Sequence, residues 1–221
     1  MTKEALIYNP QREEYLISIF KLMQTEDKIT NKMLSENLDL APSSVTEMLK
    51  KLKEEGFVEK GKSNRLTPEG EDITKKILSK HRLWEYFLEK TLEFDWKEVH
   101  EHAQKFQSVT NDDMLEKLNK FLGYPEYCPH GSTIYINNEE TNDDLINMSE
   151  AKINTNYIVR RIRDERTLLK YLEKIGLKIG EKIKIIEFEQ FDDSAIVDIE
   201  GEKISVSAKA CKLIYLKEVH H

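Results

Sequence analysis

Side chains that can bind a transition metal are concentrated in residues 81–130, which hold four of the six histidines and one of the two cysteines. His81 and Glu85 are four residues apart in a segment with helical periodicity, so both are expected on one face of a helix. Cys128 and His130 flank a proline. Imidazole, thiolate and carboxylate ligands together favour a transition metal over magnesium or calcium. The candidate ligands are His81, Glu85, His100, Cys128 and His130.

Two other interpretations of these residues remain open at this stage. Isolated helical histidines are usually surface or hydrogen-bonded residues, so the histidines could be unrelated to one another. A hydrolytic metalloenzyme is the second alternative, but it needs an open coordination position and a nearby general base. The sequence has no HExxH-type arrangement. It therefore favours a metal-binding protein without catalytic residues and without a small-molecule substrate.

The composition excludes several classes of protein. Charged residues make up 34% and hydrophobic residues 39%, and no apolar run approaches the roughly 18 residues of a membrane helix. We expect no membrane association, no secretory signal after Met1, and a cytoplasmic location in which Cys128 is free to act as a thiolate ligand. The net charge of -7 excludes an overall basic surface, although a local basic patch could still bind DNA.

The first seventy residues have the order of elements of a winged helix-turn-helix. Apolar residues recur at helical spacing in residues 11–23, and a short helix follows. A third helix is expected after Pro42 and ends at Gly56. Residues 57–60 and 65–67 have the pattern of two short strands around a polar turn. This order predicts a DNA-binding domain over residues 1–70.

The third helix begins with small polar side chains, as expected for a recognition helix that presents its N-terminal end to base edges and phosphates. Between Ala41 and Arg65 there are six cations and four anions, and the basic hairpin would add contacts to the DNA backbone. A role in protein–protein contact or architecture is the alternative. The candidate DNA-binding residues are Ser43, Ser44, Thr46, Glu47, Lys50, Lys62, Asn64 and Arg65.

A long helix is expected to connect the DNA-binding domain to the metal ligands. Thr67 is a plausible cap and Pro68 a favoured first residue, and the helical pattern continues through Glu85. Further apolar stripes extend to Phe121 and predict a helical metal-binding and dimerisation domain over residues 71–136. We interpret the stripes as core plus homodimer interface, the alternative being that they pack within one chain. A two-fold dimer would match a palindromic double-stranded DNA operator.

The last third of the chain has the pattern of a small β domain. Residues 137–151 carry five acids and no Lys or Arg, which predicts an acidic linker over residues 137–152. Five short strand patterns at residues 156–162, 181–188, 194–200, 202–207 and 213–216, with one helix at residues 165–175, predict an SH3-like β-barrel over residues 153–221. The predicted fold class is therefore mainly α with a small β part. We expect the barrel to donate a metal ligand, with a purely stabilising role as the alternative.

Three segments carry a family resemblance. In order, "LTPEGEDITKKILSKHRLWEYFLEK", "VHEHAQKF" and "YPEYCPHG" resemble the DtxR/MntR family of iron- and manganese-dependent transcriptional repressors, in its three-domain manganese-responsive branch with a FeoA-type C-terminal domain. The resemblance covers nearly the whole chain. It implies a homodimeric repressor of genes for metal uptake and homeostasis, although the same fold could activate transcription from another promoter position.

The resemblance also implies how the metal is bound. It assigns one site to His81, Glu85, Cys128 and His130, with His100 close by. An acid from the C-terminal domain, Asp164 or Glu165, would complete this site. Mn²⁺ is the expected cofactor, and Fe²⁺ and Zn²⁺ are alternatives because Cys and His ligands would accept zinc at least as well.

A second metal site of the family is altered here. The positions implied by the resemblance are Glu14, Gln104, Gln107 and Ser108, of which only Glu14 is ionisable. Amides and a hydroxyl do not supply the negative charge that a divalent cation needs on leaving water. His102 lies near enough on the same helix to be a substitute ligand. It precedes Gln104 by two residues, however, and therefore points in another direction. A metal-independent DNA-binding regulator therefore remains the alternative function.

Overall fold

The computed structural model describes residues 9–138, 145–163 and 165–219. The chain divides into two compact units. The first unit contains the residues up to His81 together with Gln104–Phe121, and the second contains Arg82–Ala103 together with the residues from Leu122 onwards. The three-domain division and the boundaries expected from the sequence stay predictions.

The described helices and strands follow the expected order. The helices are α1 Pro10–Leu22, α2 Asn31–Leu38, α3 Pro42–Glu54, α4 Pro68–Lys90, α5 Val99–Gln107, α6 Asp112–Phe121, α7 Arg166–Ile175 and α8 Ala208–Cys211, with a 3-10 turn at Met148–Glu150. The strands are β1 Ile146–Asn147, β2 Asn156–Ile162, β3 Lys182–Phe188, β4 Ala195–Ile199, β5 Glu202–Val206 and β6 Ile214–Glu218. None of the helices in these ranges has both the length and the apolar character of a membrane-spanning segment.

Local capping determines where the helices of the first unit begin. The Asn9 side chain accepts hydrogen bonds from the backbone N–H groups of Gln11 and Arg12 at the start of α1. The Thr30 side chain accepts from the N–H of Met33 and caps α2 in the same way. Pro42 occupies the first position of α3, where its missing N–H has no cost. The helix-turn-helix predicted from the sequence is therefore present.

Apolar side chains from these three helices form the core of the first unit. Its fully buried members include Tyr15, Ile19, Leu34, Val45 and Leu52. Each lies on the inward face of its helix, while polar side chains occupy the opposite face. This core fixes the direction in which the outer face of α3 points within the unit.

The wing is a short hairpin of one antiparallel bridge, Val58 to Leu66, where the sequence suggested two strands. The N–H of Thr67 donates to the carbonyl of Phe57 at 3.0 Å and extends this pairing. The Thr67 hydroxyl accepts from the N–H of Gly70 at 3.1 Å and so caps α4. A Cβ on Gly70 would lie 2.1 Å from the Phe57 carbonyl oxygen, so only glycine allows α4 to start this close to the wing.

The second unit is built around an antiparallel sheet of order β1-β6-β2-β3-β4-β5. Its core combines the inward side chains of the strands with Leu168, Leu169 and Leu172 of α7. In the described residues β1 and β5 are sheet edges that do not pair with each other, so the sheet is open where a closed barrel was expected. Within the segment expected to be a linker, Ile146 pairs with Leu216 and Met148 is fully buried.

Candidate metal centre and DNA-binding face

Three different ligand types meet in the second unit. Glu85 lies on α4, and Cys128 and His130 lie in a tight loop closed by the bridge between Tyr127 and Thr133. One ligand atom from each of Glu85, Cys128 and His130 lies within 4.8 Å of the others. All three residues are at least 95% buried. A carboxylate, a thiol and an imidazole thus converge on one point away from water.

The backbone of β2 holds the ligand loop in place. The N–H of Ile162 donates to the carbonyl of His130 at 3.1 Å. The next residue, Gly131, has φ +77°, and a Cβ there would lie 2.0 Å from the carbonyl oxygen of Arg160. Glycine is therefore required at this position for two reasons, the left-handed backbone and the close approach of β2.

Trp96 orients the imidazole of His130. Nε2 of His130 donates to the Trp96 carbonyl at 2.8 Å, since a carbonyl oxygen can only accept. The indole ring stacks on the imidazole with ring centroids 5.7 Å apart, and it packs against the core of the sheet. Nδ1 is left facing the Cys128 sulfur at 4.0 Å and the Glu85 Oε1 at 3.6 Å. Fixing one ring nitrogen through a hydrogen bond is how proteins aim the other at a metal.

The electrostatics of this group suit a bound cation. Burial raises the pKa of the Cys128 thiol, and the Glu85 carboxylate raises it further. Burial pulls the pKa of His130 down, but Glu85 and Cys128 together outweigh this, and the pKa is raised well above its usual value. The buried carboxylate therefore favours positive charge beside it. A divalent metal would supply that charge and would favour the thiolate over the thiol.

The two remaining candidate histidines border Glu85. His100 on α5 is partly exposed, and its Nδ1 lies 3.2 Å from Glu85 Oε1. His81 is 8% exposed and precedes Glu85 by one turn of the continuous helix α4, so helical geometry directs both side chains to one face. The four-residue spacing of His81 and Glu85 predicts that they share one face of a helix, whereas the approach of His100 was implied by the family resemblance alone.

The expected acid from the C-terminal domain is not located by the structure. Asp164 lies outside the described residues. Glu165 precedes α7 without capping it, and its Oε1 lies 3.4 Å from Nε of Arg163. Among the described residues, Glu165 is not a member of the ligand group around Glu85. Its role as a ligand stays a prediction.

The outer face of α3 carries most of the candidate DNA-binding side chains. Those exposed on this helix are Ser43, Ser44, Thr46, Glu47 and Lys50. Thr46 donates to the Pro42 carbonyl at 2.8 Å, and Glu47 pairs with Lys51 at 2.7 Å, which lowers the pKa of Glu47. A cleft beside this face is lined by Lys50, Lys53 and Lys60 among others. The face thus combines hydroxyl groups with lysine cations, which are groups that commonly contact phosphate.

The wing residues divide into exposed and internal positions. Lys62 is exposed. Asn64 is 5% exposed, has φ 47°, and donates to the Ile29 carbonyl at 2.9 Å. Arg65 donates to the carbonyls of Glu26 and Asp27 at 3.1 and 3.2 Å. Asn64 and Arg65 therefore hold the wing to the loop before α2, and their contacts with DNA stay a prediction.

At the positions of the altered second site, the structure brings Glu13, and not Glu14, to Gln107 and Ser108. Nε2 of Gln107 donates to Oε2 of Glu13 at 2.6 Å, and the Ser108 hydroxyl donates to the same oxygen at 3.0 Å. Glu13 is 1% exposed, whereas Glu14 is exposed. Glu13 lies three residues before the buried Leu16, so helical geometry places both side chains on the same face of α1. This spacing is the signal in the sequence that Glu13 is buried.

The other two positions considered for the second site lie elsewhere. Gln104 is exposed. The ring of His102 packs edge-on against Phe94, with centroids 5.1 Å apart. Neither belongs to the cluster around Glu13. We refer to Glu13, Gln107 and Ser108 below as the Glu13 cluster.

Comparison with known families accounts for most of the chain. Residues 9–66 match the family described as "Iron dependent repressor, N-terminal DNA binding domain". Residues 67–136 match "Iron dependent repressor, metal binding and dimerisation domain". Residues 146–218 match the FeoA domain. The three matches follow one another in the order expected from the resemblance.

Individual relatives agree with these matches. The chain is 35% identical over 113 residues to the uncharacterized HTH-type transcriptional regulator MJ0568 of Methanocaldococcus jannaschii, covering 50% of this chain and 90% of that protein. It is 27% identical over 124 residues to the iron-dependent repressor IdeR of Mycobacterium tuberculosis and spans about half of it, 54%. The structure of the manganese regulator SloR superimposes with a TM-score of 0.79 at 32% identity, over 94% of this chain and 98% of SloR.

The relatives are regulators of transcription and not enzymes. Both repressor domains and the FeoA domain occur here in one chain, and the likeness to SloR extends over nearly its whole length. The chain belongs to the DtxR/MntR family of iron- and manganese-dependent transcriptional repressors and carries the DNA-binding domain of that family.

Proposed function

We propose that the chain acts as a homodimeric repressor that binds a palindromic operator and responds to a divalent transition metal. The observation that carries this proposal is the buried convergence of Glu85, Cys128 and His130 within 4.8 Å. Such a group is costly to bury unless a cation neutralises it. The target genes are proposed to be those of metal uptake and homeostasis, the class implied by the family.

The metal is proposed to be Mn²⁺, with Fe²⁺ and Zn²⁺ as competitors. The relatives IdeR and SloR are described as iron-dependent and as a manganese regulator. Mixed N, S and O ligands bind zinc more tightly than manganese in general, so ligand type alone does not select manganese. The residues proposed to hold the metal are His81, Glu85, His100, Cys128 and His130, with Asp164 or Glu165 as a further ligand from an SH3-like FeoA-type domain.

Exposed apolar side chains support the homodimer. Phe106, Val109, Met114 and Phe121 are each more than 40% exposed in the first unit. They lie within the residues that match a dimerisation domain. A group of large apolar side chains left open to water commonly marks a protein interface. Met114→Lys should therefore shift the sedimentation coefficient toward that of a monomer, whereas an unchanged coefficient would argue against this interface.

A metal-independent DNA-binding regulator is the second candidate function. The observation in its favour is the Glu13 cluster, in which a single carboxylate is bonded to an amide and a hydroxyl. These donors satisfy only Oε2 of the carboxylate, and neither of them supplies the negative charge that a divalent cation needs. The two candidate functions differ in whether chelation removes DNA binding.

The two free and buried cysteines allow a matched test. Cys128 belongs to the proposed metal centre, whereas Cys211 is buried beside the sheet, where its thiol donates to the Val206 carbonyl at 3.5 Å. A DNA duplex is first enriched from a randomised library by the parent protein with manganese. Its affinity is then measured at one salt concentration in chelator and with manganese, iron or zinc.

We expect metal to tighten DNA binding by the parent and by Cys211→Ser, but far less by Cys128→Ser. Calorimetric titration should show the same ranking for metal binding. Equal responses of the two serine variants would contradict the assigned site. Tight binding by the parent in chelator, unchanged by metal, would favour the second candidate function.

A further inference from the structure

Two neighbouring residues of α1 connect different parts of the first unit. Arg12 Nη2 lies 2.5 Å from Oε1 of Glu55, the residue that follows the recognition helix α3. Glu13 accepts hydrogen bonds from Gln107 at the end of α5 and from Ser108 just after it. A continuous path of short polar contacts therefore runs from the end of α3 through one turn of α1 to residues 107–108.

The Glu13 contacts bridge residues more than ninety positions apart in sequence. Glu13 is 1% exposed, and among the described residues its Oε1 has no hydrogen-bond partner. A buried carboxylate is costly unless polar groups or a cation compensate for its lost hydration. The two donors act on Oε2 alone, so the charge must also be balanced from further away.

Lys80 is a buried lysine in the same unit. It is 1% exposed on α4. Burial lowers its pKa, and the carboxylates of Asp112 and Glu13 act in the opposite direction. Lys76 pairs with Asp112 at 2.6 Å, so cations and carboxylates alternate across this part of the unit. Lys80 is thus a cationic side chain of the chain itself that interacts electrostatically with Glu13.

We infer that Glu13 is a positioning residue that holds the DNA-reading helices without a metal ion. Through Gln107 and Ser108 it ties α1 to the end of α5, and through its neighbour Arg12 the same turn is tied to the end of α3. Because Gln107, Ser108 and Glu55 are protein groups, a chelator leaves these three contacts intact. The inference rests on the proposed DNA-binding function and adds a metal-independent component to it.

The chemistry of Gln107 provides the sharpest test. As an amide it donates to Glu13, but a carboxylate of the same size can only accept. Gln107→Glu would therefore place two buried carboxylates against each other, which is unfavourable unless a proton or a cation lies between them. Glu13→Ala removes the acceptor. Glu14→Ala is the matched control, because Glu14 is the exposed neighbour on the same helix.

DNA affinity is measured in chelator with the duplex enriched by the parent, and thermal unfolding is recorded for each variant. We expect the parent and Glu14→Ala to bind equally. Glu13→Ala should bind about tenfold more weakly, the size expected for lost charge-assisted hydrogen bonds. Glu13→Gln should recover most of the affinity, since its amide oxygen can still accept from both donors.

Gln107→Glu is measured in a Cys128→Ser background, which removes the other proposed metal response. Its DNA binding should be weak in chelator and should return when manganese is added. If Glu13→Ala does not fold, the milder variant Ser108→Ala tests the inference instead. Its DNA affinity in chelator should fall about threefold, the size expected for one hydrogen bond.

Equal affinities of Glu13→Ala, Gln107→Glu and Glu14→Ala in chelator would overturn the inference, as would a parent that binds DNA only with metal. If the parent enriches no duplex under any condition, the proposed DNA-binding function itself fails. The two failures are therefore distinguishable.

Discussion

Two buried carboxylates in this chain have opposite surroundings. Glu85 faces the thiol of Cys128 and the Nδ1 of His130, which are both atoms that can coordinate a metal. Glu13 faces an amide N–H and a hydroxyl, which are donors to a carboxylate. The same residue type at a similar degree of burial thus faces metal-ligating atoms at one place and neutral hydrogen-bond donors at the other. The neighbours decide which outcome applies.

The largest expected effect concerns the loop that carries the metal ligands. Gly131→Ala would bring a Cβ to 2.0 Å from the Arg160 carbonyl oxygen, at a residue with φ +77°. We expect the free energy of unfolding to fall by about 3 kcal/mol or more, because strain and overlap add, and metal affinity to fall with it. Urea unfolding and metal titration measure the two effects.

Gly123→Ala separates the two causes. Gly123 has φ +74°, but no atom lies within 4 Å of a Cβ built there. This variant should lose only about 1 kcal/mol, the cost of a left-handed backbone for alanine. Similar losses for the two variants would show that the approach of β2 to the loop is unimportant.

The second largest effect is expected when the charge of Glu85 is removed, because this removes the contrast between the two buried carboxylates. Glu85→Gln keeps the shape of the side chain but removes the charge that draws a cation to Cys128 and His130. We expect metal affinity to fall at least about tenfold, since one lost ionic ligand costs more than about 1.4 kcal/mol. Isothermal titration with manganese measures the change.

Glu126→Gln is the control for Glu85→Gln, because Glu126 is exposed in the same unit close to the ligand loop. It removes an equal charge from the chain without entering the buried group. Equal losses of affinity in both variants would mean that net charge, and not the position of Glu85, controls metal binding.

The smallest expected effect is the pH dependence of stability caused by Lys80, the buried lysine that interacts electrostatically with Glu13. Burial lowers the pKa of Lys80 in the folded chain below the value of about 10.5 for an exposed lysine. Between these two pKa values the unfolded chain binds more protons, so the free energy of unfolding should rise with pH in this window. The parent should therefore gain stability over Lys80→Met as the pH increases toward about 10.5.

Urea unfolding of both proteins at several pH values above 8 tests this prediction. Lys75→Met on the same helix, where the side chain is partly exposed, controls for the loss of one lysine. Parallel stability profiles for the parent and Lys80→Met would contradict the assigned effect of burial.

Much of the fold could be predicted because its signals are local. Thr30, Pro42 and Gly56 mark helix boundaries through capping, a fixed φ and a left-handed turn, all of which act within a few residues. The alternation of apolar residues located β2 to β6 within one or two positions. The pairing of Ile146 with Leu216 was missed, because contact between distant segments leaves no signal in a strand of two residues.

The sequence by itself determined which chemistry is available. It supplied the thiol and imidazole around Pro129, the carboxylate one helical turn after His81, and a recognition helix with a polar start. These follow from residue type and from the fixed periods of helix and strand.

Only the tertiary structure decided which groups meet. It brought Glu13, and not its neighbour, to Gln107, directed Arg65 to the carbonyls of Glu26 and Asp27, and placed the Trp96 carbonyl beside His130. The reason is physical. The phase of a helix and the partner of a buried polar group are set by packing between elements far apart in the chain, where each donor and acceptor must find a partner once water is excluded.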